Sequence, residues 1–134
     1  MTDGGSSGGG AIRVLLADDD RRFLGSLEPL IESQPELSVV ATATDGLEAI
    51  ELAERLAPDA VVIDLHMPLL DGVSAVARLR RDHPHVCLIA LTGDDAPRLH
   101  DAVREAGADA VLLKDDFLDG LMDRLRGVRP RAEA

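Results

Sequence analysis

Four short stretches of this chain carry side chains suited to work on a charged substrate. Asp18-Asp19-Asp20 presents three consecutive carboxylates, Asp64 ends an apolar run, Thr92 is followed by Gly93, and Lys114 ends a later apolar run. Carboxylates gathered at one point repel each other and need a cation. Oxygen donors without paired histidines indicate a hard metal, Mg²⁺ with Mn²⁺ as the alternative. A threonine hydroxyl and a lysine ammonium are donors, and both suit the oxygens of a phosphoryl group. A carboxylate set between metal and donors can act as a nucleophile and form an aspartyl phosphate. Asp64 is the candidate for that role. Taken alone, it could equally open a turn or cap a helix, because a carboxylate at a buried strand end is costly unless it is paired.

Whether these residues meet depends on the elements that carry them. Apolar runs at residues 12–17, 37–43, 60–63, 86–91 and 110–113 read as strands. The run at 60–63 has no polar interruption, which suits a strand buried on both faces. Helical periodicity separates the runs. Phe23, Leu24, Leu27, Leu30 and Ile31 share one face of a first helix, in which Pro29 is expected to cause a kink. Leu47, Ile50, Leu52 and Ala53 mark a second helix, and Val73, Val76, Ala77 and Leu79 a third. The third ends in Arg78-Leu79-Arg80-Arg81, read as a solvated helix end that favours the negative pole of the dipole. A fourth helix carries Leu99, Ala102, Val103 and Ala106, with Asp94 or Asp95 as its expected cap and Pro97 in its first turn. Phe117, Leu118, Leu121, Met122 and Leu125 line a fifth. Asp20 reads as a helix cap rather than a ligand.

Strands joined by helical crossovers run parallel, with helices on both faces of the sheet. The expected fold is therefore α/β, a three-layer sandwich around a five-stranded parallel sheet with five helices. In open sheets of this kind, sites form at the carboxyl ends of the strands. Asp18, Asp19, Asp64, Thr92 and Lys114 end four different strands, so the topology brings them to one edge.

The motifs Val14-Leu-Leu-Ala-Asp18-Asp19, Val62-Ile-Asp64-Leu-His-Met67-Pro68-Leu-Leu-Asp71-Gly72, Ala90-Leu-Thr92-Gly93 and Ala106-Gly-Ala-Asp-Ala-Val-Leu-Leu-Lys114 stand in this order. Together they resemble the receiver domain of bacterial two-component response regulators, the CheY-like, flavodoxin-type fold. The resemblance spans residues 12 to about 126 and implies the strand order 2-1-3-4-5. It implies that Asp64 accepts a phosphoryl group from a phosphohistidine on a sensor histidine kinase or phosphotransfer protein. It further implies that Asp18, Asp19, Asp64 and the backbone carbonyl of His66 hold Mg²⁺, Asp18 usually through water. Thr92 and Lys114 would bind the phosphoryl oxygens and report their arrival. The fourth helix, fifth strand and fifth helix would form the output face and a homodimer surface.

Three departures from the family's usual pattern matter. Asp115 replaces the proline that often follows the lysine, as in the branch with LuxR-type helix-turn-helix output domains, and a trans Lys114–Asp115 bond is expected. Val111 stands where the family has its aromatic switch residue, so output must run through packing shifts. His66 and Asp94 occupy positions that tune phosphoryl lifetime, with Asp94 either repelling the group or orienting water. These departures keep a second reading alive, a receiver-fold binding module that works without phosphorylation. A third reading, a Mg²⁺-dependent phosphatase, needs an acid where this chain has His66, and needs a cap domain.

The remaining composition narrows the field. The chain has 134 residues, enough for one domain. Its net charge of -11 disfavours a nucleic-acid surface. Phe23 and Phe117 are the sole aromatics, too few for base-stacking platforms. The single cysteine, Cys87, reads as a small core residue and permits no internal disulfide. His83 and His85 flank Pro84 without zinc spacing and read as surface residues. No run is long enough to span a membrane, and the start of the chain is not a signal peptide, which points to the cytoplasm. Residues 1–11 and 128–134 read as flexible tails around a domain at 12–127.

Overall fold

The computed structural model describes residues 11–130. The expected tails at 1–11 and 128–134 therefore lie largely outside the described residues. Strands and helices alternate: β1 (Ile12–Ala17), α1 (Arg21–Glu32), β2 (Leu37–Ala43), α2 (Gly46–Leu56), β3 (Ala60–Asp64), α3 (Gly72–Asp82), β4 (Cys87–Thr92), α4 (Pro97–Ala106), β5 (Ala110–Leu113) and α5 (Leu118–Arg126). All neighbouring strands pair in parallel, in the order β2-β1-β3-β4-β5. The expected sheet is borne out.

Period-2 alternation within each strand sends side chains to two separate cores. Leu15, Val61, Ile63, Leu88, Ala90 and Val111 face one side, where Ala53 of α2, Ala75, Val76 and Leu79 of α3, and Val103 of α4 cover them. Val14, Leu16, Val62, Ile89 and Leu91 face the other, covered by Leu24, Leu27 and Ile31 of α1 and Leu121, Met122 and Leu125 of α5. All five residues of β3 are buried, as its uninterrupted apolar run implies.

Several expectations need correction. Leu30, Leu47 and Leu118 lie at the margins of their apolar stripes and are exposed; in α2, Gly46, Ala49 and Ala53 take the buried face instead. The helix expected to kink at Pro29 runs unbroken from Arg21 to Glu32. Pro29 and Gly25 are both exposed, so water can serve the carbonyl that lost its donor. The fourth strand begins at Cys87, one residue later than expected, and takes in Thr92. Cys87 itself is only partly buried, and burial pushes its thiol up.

Arg80 is no solvated helix end. Its guanidinium bonds the carbonyls of Gly107, Pro84 and Val86 and the carboxylate of Asp109, so it ties α3 to β4 and to the end of α4. His83, expected on the surface, is buried at the end of α3, and its carbonyl accepts from Val86 N. No helix among the described residues is long and apolar enough to cross a membrane.

Two glycines make opposite predictions. A Cβ on Gly72 would lie 2.4 Å from the Leu65 Cα, while one on Gly25, on the exposed face of α1, would meet nothing within 4 Å. Gly72→Ala should lose about 1–3 kcal/mol from forced backbone displacement. Gly25→Ala should gain about 0.5–1 kcal/mol from helix propensity. Urea unfolding of the two variants checks both signs.

Candidate acidic site at the strand carboxyl ends

Asp18 follows β1 directly and Asp64 is the last residue of β3, so adjacent strands deliver both carboxylates to one edge. Each is almost fully buried, at 2% and 4% exposure. Asp19, next along, is exposed, yet carboxylate oxygens of Asp18, Asp19 and Asp64 lie within 4.8 Å of one another. Asp20 turns away from this cluster. Its carboxylate accepts from Arg22 N and Phe23 N and caps α1, as expected. Its own N–H donates to Asp18 Oδ1 at 2.9 Å and fixes that side chain.

Among the described residues, one cation, Lys114, pairs with these charges. Lys114 follows β5, and its Nζ lies 2.6 Å from Asp18 Oδ2 and 3.6 Å from Asp64 Oδ1. Burial alone would lower the Lys114 pKa. The hydrogen bond to Asp18 and the charge of Asp64 outweigh it and hold the group above its ordinary value. Apart from that ammonium, Asp18 Oδ2 is buried without a hydrogen-bond donor among the described residues. Asp64 remains under-compensated. Burial, and then the charge of Asp18, push its carboxyl up against the opposing pull of Lys114 and His66. An oxygen-only cluster in which three carboxylates share one ammonium, and one carboxylate stays under-compensated, fits a hard divalent cation.

Thr92 ends β4 and is fully buried. Its Oγ1 accepts from Asp94 N at 3.0 Å and lies 3.3 Å from Nε2 of the exposed His66. The backbone N–H of Lys114 donates to the carbonyl of Thr92, so the hydroxyl and the ammonium come from directly linked strands. The cap expected from Asp94 or Asp95 is not formed. Ala96 occupies the cap position and offers no side-chain acceptor, while Asp94 Oδ1 accepts from Ala96 N in a turn before the helix. Pro97 does open α4, where its missing N–H is harmless.

Val111 lies away from the cluster, in the core beneath α2, α3 and α4. The loop from Met67 to Gly72 closes under the site. Asp71 caps α3 through Ser74 N, Gly72 N donates to Leu65 O, and the exposed Leu69 takes a left-handed φ of 76°. No cis peptide bond occurs among the described residues, as expected for Lys114–Asp115.

Two residues at this site escape sequence reasoning. Phe23 places its ring 4.5 Å from Lys114 Nζ, and Phe117 packs on Phe23 with centroids 5.5 Å apart. Their scarcity, and their places just after Asp19 and just after Lys114, were the available signals.

The raised carboxyl of Asp64 predicts a stability effect. A group that titrates higher when folded than when unfolded costs stability as pH rises through that interval, and the cost persists at neutral pH. Asp64→Asn cannot ionise and keeps the shape. With divalent cations chelated, it should be more stable than the wild type at pH 7, by on the order of 1 kcal/mol. A thermal melt checks the sign.

Residues 14–126 match the family described as the response regulator receiver domain. Among curated relatives, the chain is 35% identical over 132 residues to a protein-glutamate methylesterase/protein-glutamine glutaminase of Shewanella frigidimarina, covering 90% of this chain and 33% of that protein. It is 42% identical over 122 residues to the transcriptional regulatory protein PrrA of Mycobacterium tuberculosis, covering 89% and 50%. The chain thus spans between a third and a half of the length of these relatives. Among solved structures, it superposes on the response regulator domain of Thermotoga maritima CheB with a TM-score of 0.82 at 28% identity, covering 92% of this chain and 99% of that one. A LuxR-family two-component response regulator from Aurantimonas gives 0.79 at 28% identity, covering 89% and 88%. The chain belongs to the response regulator receiver domain family.

Proposed function

We propose that residues 12–127 act as a phosphorylation switch, with Asp64 as the phosphoacceptor. The observation that carries this reading is the buried, under-compensated carboxylate of Asp64, set beside Asp18 and one ammonium. An Asp64 oxygen attacks the phosphorus of a phosphohistidine on a sensor kinase or phosphotransfer protein. The P–N bond breaks, and the imidazole leaves with the electron pair. Asp18, Asp19, Asp64 and the His66 carbonyl are the residues that would hold Mg²⁺, with Mn²⁺ as the substitute. When bound, the cation supplies positive charge against the carboxylates and the arriving phosphoryl oxygens. Lys114 and Thr92 then donate to those oxygens. The Thr92 hydroxyl must turn from its present neighbours to do so, and His66 and Asp94, which hold those neighbouring positions, would set how long the phosphoryl group lasts.

On this reading the chain turns over no substrate besides its own acyl phosphate. The esterase activity named for the Shewanella relative belongs to that whole protein, of which this chain matches a third. The output would reach a partner, a second copy or an attached regulatory domain, through α4, β5 and α5. Val111 favours the competing reading, a binding module indifferent to phosphorylation, because it removes the aromatic rotation that usually links threonine to that face.

Incubation with a small acyl phosphate and Mg²⁺ should add one phosphoryl group to the wild type, read by intact-mass spectrometry. Asp64→Ala should lose it entirely, and chelation should slow wild-type labelling at least tenfold, as expected when several kcal/mol of charge stabilisation is removed. Equal labelling of Asp64→Ala would remove the assignment.

A further inference from the structure

The expected switch aromatic is missing at position 111, but the chain does place aromatic rings at this site. Phe23 and Phe117 are its sole aromatics, and they pack on each other. Lys114 is its sole lysine, every other fixed cation being arginine, and its Nζ sits over the Phe23 ring. Two rings and one ammonium, drawn from positions 23, 114 and 117, therefore form a single contact set.

Each member is anchored to an element. Phe23 lies in the first turn of α1, and its N–H donates to Asp20, whose own N–H holds Asp18. Phe117 immediately precedes α5, and its carbonyl accepts from Leu121 N in the first turn of that helix. Both rings are partly buried against the α1–α5 core, on the opposite side of the sheet from Val111. An ammonium over a ring face gains attraction from the ring's quadrupole, which an aliphatic side chain does not supply. The Lys114 side chain is 26% exposed, so the contact is partly shielded from water.

We propose that Phe23 is a positioning residue for Lys114: its ring holds the ammonium against Asp18 in the resting state. A phosphoryl group on Asp64 draws the ammonium off the ring, and the Phe23–Phe117 pair passes that loss to α1 and the start of α5. This rests on the phosphoacceptor reading above and deepens it. The readout of the lysine lies on the α1–α5 side, rather than through Val111.

The single lysine makes the test direct, because ¹³C-lysine labelling gives one set of side-chain resonances. In the metal-free wild type, the Lys114 ε-protons should lie upfield from the ring current of Phe23. Phe23→Leu should move them downfield, and Phe23→Tyr should restore them. Beryllofluoride with Mg²⁺, used as the phosphoryl mimic, should move the wild-type resonance in the same downfield direction. Since the ring stabilises only the resting position, Phe23→Leu should bind beryllofluoride about two- to fivefold tighter than wild type, and Phe23→Tyr should not. Phe117→Leu should leave the resting lysine shift in place and abolish the response of α5 amides to beryllofluoride. An unchanged lysine resonance in Phe23→Leu, or weakened beryllofluoride binding by it, overturns the proposal. If beryllofluoride leaves the Thr92 and Asp94 amides of the wild type unmoved, the phosphoacceptor reading fails. The release step then fails with it, while the resting contact stands or falls on the Phe23→Leu comparison.

Discussion

Like charge held at close quarters in a buried place is the constraint on which the rest of this structure depends. Parallel β1 and β3 end side by side, and each ends in a carboxylate that is almost wholly removed from water. Burial disfavours both charges, and their proximity disfavours having both at once. A single ammonium meets this demand incompletely, so Asp18 is paired while Asp64 stays above its ordinary range. On the proposed function, a site in that condition takes a cation and a phosphoryl group. Stability is given up locally and recovered by two well-packed cores on either side of the sheet.

Those cores also decide where a change at the site can travel. Lys114 stands at the end of β5, between a face covered by α2, α3 and α4 and a face covered by α1 and α5. On the first face, the strand before it carries Val111, a small aliphatic side chain that packs without a polar handle. On the second, its ammonium meets a ring. A β-branched residue can transmit only displacement, whereas a cation over a ring can be made or broken as a discrete contact. The asymmetry favours α1 and α5 as the elements that sense the lysine.

Much of this was legible in the residue order. Five apolar runs and the helical stripes between them specify a parallel sheet, and the topology then places Asp18, Asp19, Asp64, Thr92 and Lys114 at one edge without knowledge of any distance. What remained hidden depends on contacts between distant parts of the chain. Arg80 reads as a solvated helix end until the carbonyls of Pro84, Val86 and Gly107 are seen to converge on it. His83 reads as a loop residue, yet it is buried at the end of α3. The stripes of α1, α2 and α5 predicted Leu30, Leu47 and Leu118 inside, because periodicity marks a face but not its width. Phe23 and Phe117 read as ordinary members of helical stripes, since nothing local says that their rings meet across the site.

On the proposed function, Asp18, Asp19 and Asp64 hold one divalent cation beside the phosphoacceptor. A crystal structure of the domain soaked with Mn²⁺, with anomalous data collected, tests it most directly. The account predicts one strong peak among Asp18, Asp19 and Asp64, with direct oxygen ligands at about 2.0–2.2 Å. A peak elsewhere, or no peak at these carboxylates, would contradict it.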